Sequence, residues 1–232
     1  MFLSRLEILY GKEGIEKLKK SKVLVAGLGG VGGICAEALV RSGVGHIGVI
    51  DGDCVEESNL NRQILAFHST IGINKTEVFE KRAKDINPEI KVDKYPYFIN
   101  KDTFDNVPLE SYKVVADCID SLIPKLNLII KCLEKDIPVI ASTGSGFKIN
   151  PEMVKSGSIW ETKNDPLAYR MRKKLRQWGY GDRDFTVVYS LEKSEVKGEV
   201  VGSIMTVTAT FGLLIAQKVI EKIIDNKQKK GD

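Results

Sequence analysis

The chain has 232 residues, of which 43% are hydrophobic and 28% charged, as is typical of a globular protein with one sizeable core. The formal net charge of +4 permits a nucleic-acid partner without requiring one, because clustering of charge matters more than its total. The four cysteines form no C-x-x-C pair, which argues against a zinc ribbon and a disulfide framework. The chain turns polar at Ser4 and Arg5, so we expect no secretory segment. The most apolar stretch, 204–220, is interrupted by Gln217 and Lys218 and is expected to be a buried helix instead of a membrane span. We therefore expect a cytoplasmic protein that does not contact a membrane.

Strand and helix patterns alternate over residues 1–146 and predict an α/β fold. The expected architecture is Rossmann-like and doubly wound, with a mostly parallel sheet and helices on both faces. The predicted strands are 22–26, 46–51, 92–99, 113–118 and 138–142, and the predicted helices are 14–20, 31–41, 74–86 and 123–135. After residue 146 the pattern changes, and the predicted elements are strands at 149–161 and 185–191, a basic helix after Asp165 and a closing helix over 203–224. Residues 147–232 are therefore expected to form an extension of strands and helices that packs on the first part as one unit.

A glycine-rich loop follows the first predicted strand, with Gly27, Gly29, Gly30 and Gly32 in G-x-G-x-x-G spacing. Glycines allow phosphate groups to approach the backbone, and the helix that follows presents free N–H groups to them. Asp51, at the end of the second predicted strand, can hold a ribose. A dinucleotide dehydrogenase has the same loop, and a loop needed only for a tight strand–helix turn is the other alternative.

A dense polar run then follows the second strand, where open α/β sheets bind their ligands. Its members are Asp53, Asn59, Asn61, Arg62 and Gln63. A guanidinium pairs with phosphate oxygens in a fork, and the amide side chains can orient those oxygens. The alternative is a solvated surface loop.

Two more charged residues are placed to complete this site. Lys75 opens the next helix and could reach the same phosphates, or it could be a solvated lysine. Asp120 follows the predicted strand 113–118 and could bind Mg²⁺ through water or phosphate. Its alternative role is to cap the helix that begins nearby.

In this order, the glycine motif, D-x-D at 51–53, N-x-N-R-Q at 59–63, Lys75 and D-x-x-D at 117–120 resemble one enzyme family. That family is the ubiquitin-activating-enzyme-like (ThiF/MoeB-type) adenylyltransferases, and the resemblance covers nearly all of residues 1–146. It implies ATP and Mg²⁺ as cofactors and makes the first part an ATP-binding adenylation domain.

The resemblance also implies roles for single residues. Asp51 would hold the ribose, and Asn61, Arg62 and Lys75 the triphosphate; Asp120 would bind Mg²⁺. In the family, an arginine near the N-terminus crosses a homodimer interface to the partner's ATP. Arg5 occupies the matching place, so a homodimer is expected, although a plain surface arginine is the alternative.

The helix after Asp165 carries a cluster of positive charge. Five of the seven residues 170–176 are basic, namely Arg170, Arg172, Lys173, Lys174 and Arg176. Clustered Arg and Lys are the main sequence-independent source of nucleic-acid affinity, so these residues are candidates for tRNA binding. The alternative is a solvated helix face, with Leu167, Met171 and Leu175 turned toward the core.

Together with 187–192 and T-A-T-F-G at 208–212, the basic helix resembles the branch of the family that acts on threonylcarbamoyladenosine in tRNA. This implies ATP-dependent cyclisation, a dehydration, through adenylation of the substrate's carboxylate, with release of pyrophosphate and AMP. The alternative is activation of the C-terminal carboxylate of a ubiquitin-like sulfur-carrier protein. Such enzymes usually have two C-x-x-C pairs and often a late cysteine, and here no cysteine follows Cys132. A nucleotide-binding module without catalysis is the third possibility, and a sulfur-transfer or regulatory protein partner is left open.

Overall fold

The computed structural model describes residues 2–100, 103–194 and 198–224. Its centre is a seven-stranded sheet in the order β3-β2-β1-β4-β5-β7-β6. The strands are β1 (Lys22–Ala26), β2 (His46–Ile50), β3 (Lys91–Tyr95), β4 (Val114–Asp117), β5 (Val139–Ser142), β6 (Val154–Ser158) and β7 (Thr186–Ser190). Neighbouring strands are parallel except β6 and β7, which pair antiparallel at the edge. The predicted α/β fold with a mostly parallel sheet is confirmed.

Helices cover both faces of the sheet, as the sequence predicts. They are α1 (Ser4–Lys19), α2 (Gly32–Arg41), α3 (Lys75–Ile86), α4 (Leu122–Glu134), α5 (Pro166–Gln177) and α6 (Met205–Ile224). Buried side chains of α1, α2, α3 and α6 share one apolar cluster, and those of α4 and α5 share another. Within the described residues, no helix is long and apolar enough to span a membrane.

Three predicted elements differ in length from those in the structure. The first helix begins at Ser4 instead of residue 14 and bends at Gly11, whose φ of 67° and ψ of 171° interrupt it. Strand β3 ends at Tyr95, the last residue that pairs with β2, whereas the prediction ran to residue 99. Strand β6 is restricted to Val154–Ser158 because short 3₁₀ turns precede and follow it. The other predicted elements are confirmed to within a few residues.

The extension continues the sheet of the first part. Strand β7 pairs in parallel with β5, and α6 returns across the sheet to pack against α2. The two helices approach closely, because a Cβ at Gly212 would lie 2.4 Å from the carbonyl oxygen of Val31. The closing helix thereby supports the start of α2, which is where the glycine loop ends.

Candidate functional site

A cavity of about 330 Å³ opens at the carboxyl ends of β1, β2 and β4. Strand order reverses between β1 and β4, and such a switch point is where doubly wound sheets bind ligands. We call it the glycine-loop cavity, after the loop at residues 27–32. Of the predicted site residues, its lining includes Gly27, Gly29, Asp51, Asp53, Asn59, Arg62, Gln63, Lys75 and Asp120. Residues from separate parts of the sequence are therefore brought together at one point.

The glycine loop is shaped by close backbone contacts. Gly27 has a φ of 87°, and a Cβ there would lie 2.9 Å from the carbonyl oxygen of Cys118. A Cβ at Gly32 would meet the carbonyl oxygen of Gly27 at 1.7 Å, so only glycine fits. Gly29 differs, because a Cβ there would have no atom of a described residue within 4 Å, its two chain neighbours apart. Gly29 lines the cavity, so the open space beside its backbone is available to a phosphate.

Asp51 ties the glycine loop to the end of β2. Its Oδ2 accepts a hydrogen bond from the backbone N–H of Leu28 at 2.6 Å, and its Oδ1 accepts one from that of Asp53 at 2.8 Å. Burial raises the pKa of Asp51, and the charge of Lys75 and the two backbone donors oppose that shift. Asp51 therefore orders the loop in addition to facing the cavity.

Lys75 is held at the base of the cavity at the first position of α3. Its Nζ lies 3.0 Å from Oδ2 of Asp53, and only 4% of the residue is exposed. Asn74 caps the helix by accepting a hydrogen bond from the backbone N–H of Thr76. The helix start and the ion pair together fix the direction of the ammonium group.

The polar run at 59–63 is divided by the structure. Arg62 lines the cavity, and its Nη1 donates to the carbonyl oxygen of Ser58 at 2.6 Å and to Oδ1 of Asn61 at 2.9 Å. Asn59 is buried, and its Oδ1 accepts from the backbone N–H of Glu56. Gln63 also lines the cavity, and its buried Oε1 has no hydrogen-bond partner among the described residues. A ligand or water in the cavity can donate to this buried acceptor.

Asn61 and two of the glycines lie elsewhere. Asn61 is not part of the cavity lining, and its Nδ2 donates to the carbonyl oxygen of Ser203, in the segment before α6. It contacts the cavity through Arg62 instead. Gly30 and Gly32 are also outside the lining and contribute through the shape of the loop.

Asp120 lies exposed in the turn between β4 and α4. The helix begins after Ser121, and no side chain caps it, so the capping role considered for Asp120 is not the one it has. Asp117, the last residue of β4, is fully buried; its Oδ1 accepts from the backbone N–H of Ile119 at 3.1 Å. Burial raises the pKa of Asp117, and the neighbouring Lys125 ammonium opposes this effect.

Two features in and next to the cavity are not indicated by the sequence. Tyr97, Phe98 and Ile99 line it after β3 ends, whereas the sequence pattern assigned them to a strand. The Phe98 ring covers Gly52, where a Cβ would lie 2.7 Å away, and the residue is 61% exposed. Lys125 is the second feature; it does not line the cavity but lies one turn into α4, behind the turn that does. The sequence shows only a lysine within an otherwise apolar helix pattern, which does not indicate its role.

Arg5 lies on the exposed side of α1 and is not among the residues that line the cavity of its own chain. It is therefore not brought to the other predicted site residues within one chain.

The basic helix α5 is firmly attached beside the sheet. Asp165 caps it, because its Oδ1 accepts from the backbone N–H of Ala168 at 2.8 Å, and its Oδ2 accepts from that of Gly144 at 3.0 Å. The second bond joins α5 to the loop that follows β5. Met171 and Leu175 are fully buried, as the pattern predicts.

The predicted tRNA-binding residues of α5 fall into two groups. Arg170, Lys173 and Arg176 are exposed, and we call them the basic face. Arg172 and Lys174 are half-buried. The Arg172 guanidinium donates to Oγ1 of Thr162, so this residue is engaged within the protein.

Comparison with known proteins agrees with this geometry. The model of the ThiF family matches residues 3–231. The tRNA threonylcarbamoyladenosine dehydratase of Bacillus subtilis (strain 168) is 42% identical over 176 residues, which are 76% of this chain and 69% of that protein. The solved structure of Escherichia coli tRNA N6-threonylcarbamoyladenosine dehydratase in complex with AMP is 32% identical, with a TM-score of 0.91 over 98% of this chain and 95% of that one. The same enzyme in complex with ATP gives a TM-score of 0.90, 32% identity and coverage of 99% and 96%. Since the family model covers nearly the whole chain, this chain belongs to the ThiF family.

Proposed function

We propose that this protein is an enzyme that uses ATP to adenylate the carboxylate of threonylcarbamoyladenosine in tRNA, and so drives cyclisation with loss of water. The observation that carries this proposal is the convergence of Arg62, Lys75 and Asp120 beside the glycine loop. The chain that carries these residues also aligns, over 98% of its length, with the structure of an E. coli dehydratase in complex with AMP. A module that only binds nucleotide has no need to manage the charge of a leaving pyrophosphate.

The nucleotide would lie with its phosphates on the glycine loop. Gly29 leaves room for them, and the backbone at the start of α2 offers N–H groups. Asp51 at the end of β2 is placed for the ribose, and the Tyr97–Ile99 segment forms the apolar wall beyond it. Arg62 and Lys75 supply positive charge near the phosphates.

The chemistry brings two anions together. A carboxylate that attacks the α-phosphate is repelled in water, and the charges of Arg62 and Lys75 offset that repulsion and stabilise the departing pyrophosphate. No general base is needed, because an ionised carboxylate is already the nucleophile. Ring closure within the threonylcarbamoyl group then expels AMP. Positioning of the two reactants provides much of the remaining rate enhancement.

Asp120 fits a magnesium ion in this reaction. Mg²⁺ is usually held by one or two carboxylates together with substrate phosphates and water. Among the described residues there is no cluster of three or more ligating side chains. The exposed Asp120 carboxylate at the cavity suits this way of binding Mg²⁺, in which one protein carboxylate acts together with phosphates and water. When bound, the ion would neutralise charge on the phosphate oxygens.

The basic face of α5 would bind the tRNA. Its three exposed cations lie on a helix whose first turn is joined, through Asp165, to the loop after β5. Since β5 is next to β4, that loop lies beside the turn with Asp120. The substrate backbone on α5 would therefore be near the cavity where its carboxylate must react.

We propose that the active assembly is a homodimer in the cytoplasm. Arg5 is exposed and does not line the cavity of its own chain, so it is free to reach a partner's nucleotide. Ile8 and Leu9, on the same helix, are 84% and 74% exposed, and a protein–protein interface would bury them.

We do not favour activation of a sulfur-carrier protein, because the chain has no C-x-x-C pair and no cysteine after Cys132.

One assay separates these functions. The protein is incubated with ATP, Mg²⁺ and one of three substrates: tRNA with threonylcarbamoyladenosine, the same tRNA without it, or a carrier protein that ends in Gly-Gly. We expect AMP only with the modified tRNA, and mass spectrometry of the nucleoside should show loss of one water. AMP release with the Gly-Gly protein alone would contradict the proposal, and no AMP with any substrate would favour a binding module.

A further inference from the structure

A fully buried ion pair lies directly beneath the turn that carries Asp120. Nζ of Lys125 is 2.6 Å from Oδ2 of Asp117, and both side chains are 0% exposed. Asp117 ends β4, and Lys125 lies in the first turn of α4. The pair therefore joins the two elements between which residues 118–121 form the wall of the cavity.

The carboxylate of Asp117 acts in two directions. Its Oδ2 receives the ammonium of Lys125, and its other oxygen accepts the backbone N–H of Ile119. Ile119 immediately precedes Asp120, so the conformation of the turn depends on how the Asp117 carboxylate is oriented. Lys125 provides that orientation from below.

Stability alone is a weak reason for such a pair. Removing both charges from water is costly, and apolar residues of similar volume are often as stabilising or more so. The pair does have a consequence for the turn. Lys125 opposes the rise in the pKa of Asp117 that burial causes, so it favours the ionised carboxylate that accepts the Ile119 N–H. Without Lys125, Asp117 would take up a proton and hold that N–H less firmly.

We propose that Lys125 is a positioning residue for adenylation: by holding Asp117 it fixes the turn at residues 118–121 and the direction of Asp120. This inference rests on the proposed function, because the role is defined for adenylation. Lys125 does not itself line the cavity and would act through the turn. It distinguishes the pair from one that serves packing only.

The test compares Lys125→Met with the double variant Asp117→Asn/Lys125→Met. The single variant leaves a buried carboxylate without its partner, so its melting temperature should fall. The double variant leaves no buried charge and should recover much of that loss. In both, we expect kcat for AMP formation to fall about tenfold to 100-fold because the turn is misplaced, while KM for tRNA stays unchanged. Amide hydrogen exchange at residues 118–121 should be faster in both.

Lys113→Met is the matched control. Lys113 is half-buried just before β4, at the end of the strand away from the cavity, and donates to the carbonyl oxygen of Ile223. Its loss should lower stability and leave kcat and exchange at 118–121 as in the wild type. A double variant that recovers stability together with wild-type kcat and exchange would overturn the proposal.

Two further measurements keep the test decisive. If neither methionine variant folds, Lys125→Arg keeps the charge, and it should preserve kcat and the slow exchange even if packing suffers. Loss of kcat in that variant with unchanged exchange would contradict a role through the turn. If the wild-type protein releases no AMP, the proposed function fails, but exchange at 118–121 still reports whether Lys125 holds the turn.

Discussion

The glycine-loop cavity and the basic face of α5 both present positive charge, but they hold it in different ways. In the cavity, Lys75 is 4% exposed and bonded to Asp53, and Arg62 is bonded to Ser58 and Asn61. On the basic face, Arg170, Lys173 and Arg176 project from a helix whose opposite side is buried. Charge in the cavity is fixed in direction by these contacts. Charge on the helix lies at the exposed surface, where the Arg176 guanidinium is 4.8 Å from the centre of the Trp160 ring.

This difference determines how each region contributes to function. Charges fixed in a cavity from which water is partly excluded act strongly on one geometry and are weakly screened by salt. Exposed charges contribute in small and similar amounts, and their effect falls as the salt concentration rises. Single substitutions should therefore have large effects in the cavity, whereas on α5 several must be combined.

The largest expected effect comes from Arg62→Ala. Loss of one preorganised group that stabilises the transition state costs about 100-fold to 1,000-fold in kcat, so AMP formation should fall by that amount. Arg62 is half-buried and bonds mainly to its own turn, so the melting temperature should change little. Both quantities are measured on the same preparation, by AMP release and thermal unfolding.

A suitable control is Arg41→Ala, which removes a half-exposed arginine paired with Glu37 at the far end of α2. It should leave AMP formation unchanged. Activity of Arg62→Ala within threefold of this control would remove Arg62 from the mechanism.

A smaller effect is expected from Gly29→Ala. Among the described residues other than its two neighbours, the new methyl meets no atom within 4 Å, so folding should be unaffected. It would occupy the space proposed for a phosphate, and crowding of this size costs about 1–3 kcal/mol, or roughly fivefold to 150-fold in ATP affinity. Calorimetric titration with ATP measures this loss. An unchanged affinity would show that the phosphates do not lie on this part of the loop.

The fold was largely predictable because its signals are local. Buried strands such as β1 (Lys22–Ala26) and the aspartate–proline start of α5 are patterns that neighbouring residues define. The end of β3 was not predictable from its own residues, since it is set by where β2 stops pairing. The residues after Tyr95 continue the apolar pattern, but there they line the cavity instead of the sheet.

Only those site residues that belong to a sequence motif, or that directly follow a predicted strand, were predictable. The glycine spacing and the run at 59–63 indicate a phosphate site, and Asp120 follows from its place after a strand. Lys125 could not be recognised, because its role depends on meeting Asp117 across a turn. For Asn61 the prediction was too broad. The motif at 59–63 lies at the site, but the Asn61 side chain is hydrogen-bonded to Ser203 and does not line the cavity.

The smallest expected effect per residue is on the basic face. The triple variant Arg170→Gln/Lys173→Gln/Arg176→Gln should weaken tRNA binding about tenfold near physiological salt, since each lost phosphate contact is worth little alone. The slope of log affinity against log salt should flatten by up to roughly 2 to 3, at about 0.7–0.9 per contact. Filter binding over a salt series measures both quantities. With saturating tRNA, kcat should be unchanged, because the cavity is intact.

The matched control removes three exposed charges elsewhere, in Lys12→Gln/Lys20→Gln/Lys81→Gln, which lie on α1, just after α1 and on α3. The two triple variants have the same net charge, so a general effect of charge would weaken tRNA binding equally in both. Only a loss confined to the α5 variant places the tRNA backbone on that helix. If the α5 variant and the wild type bind tRNA equally, the basic face is a solvated helix surface and not a tRNA-binding site. In that case only the charges in the cavity would act on a ligand, and those on α5 would serve to keep the helix surface hydrated.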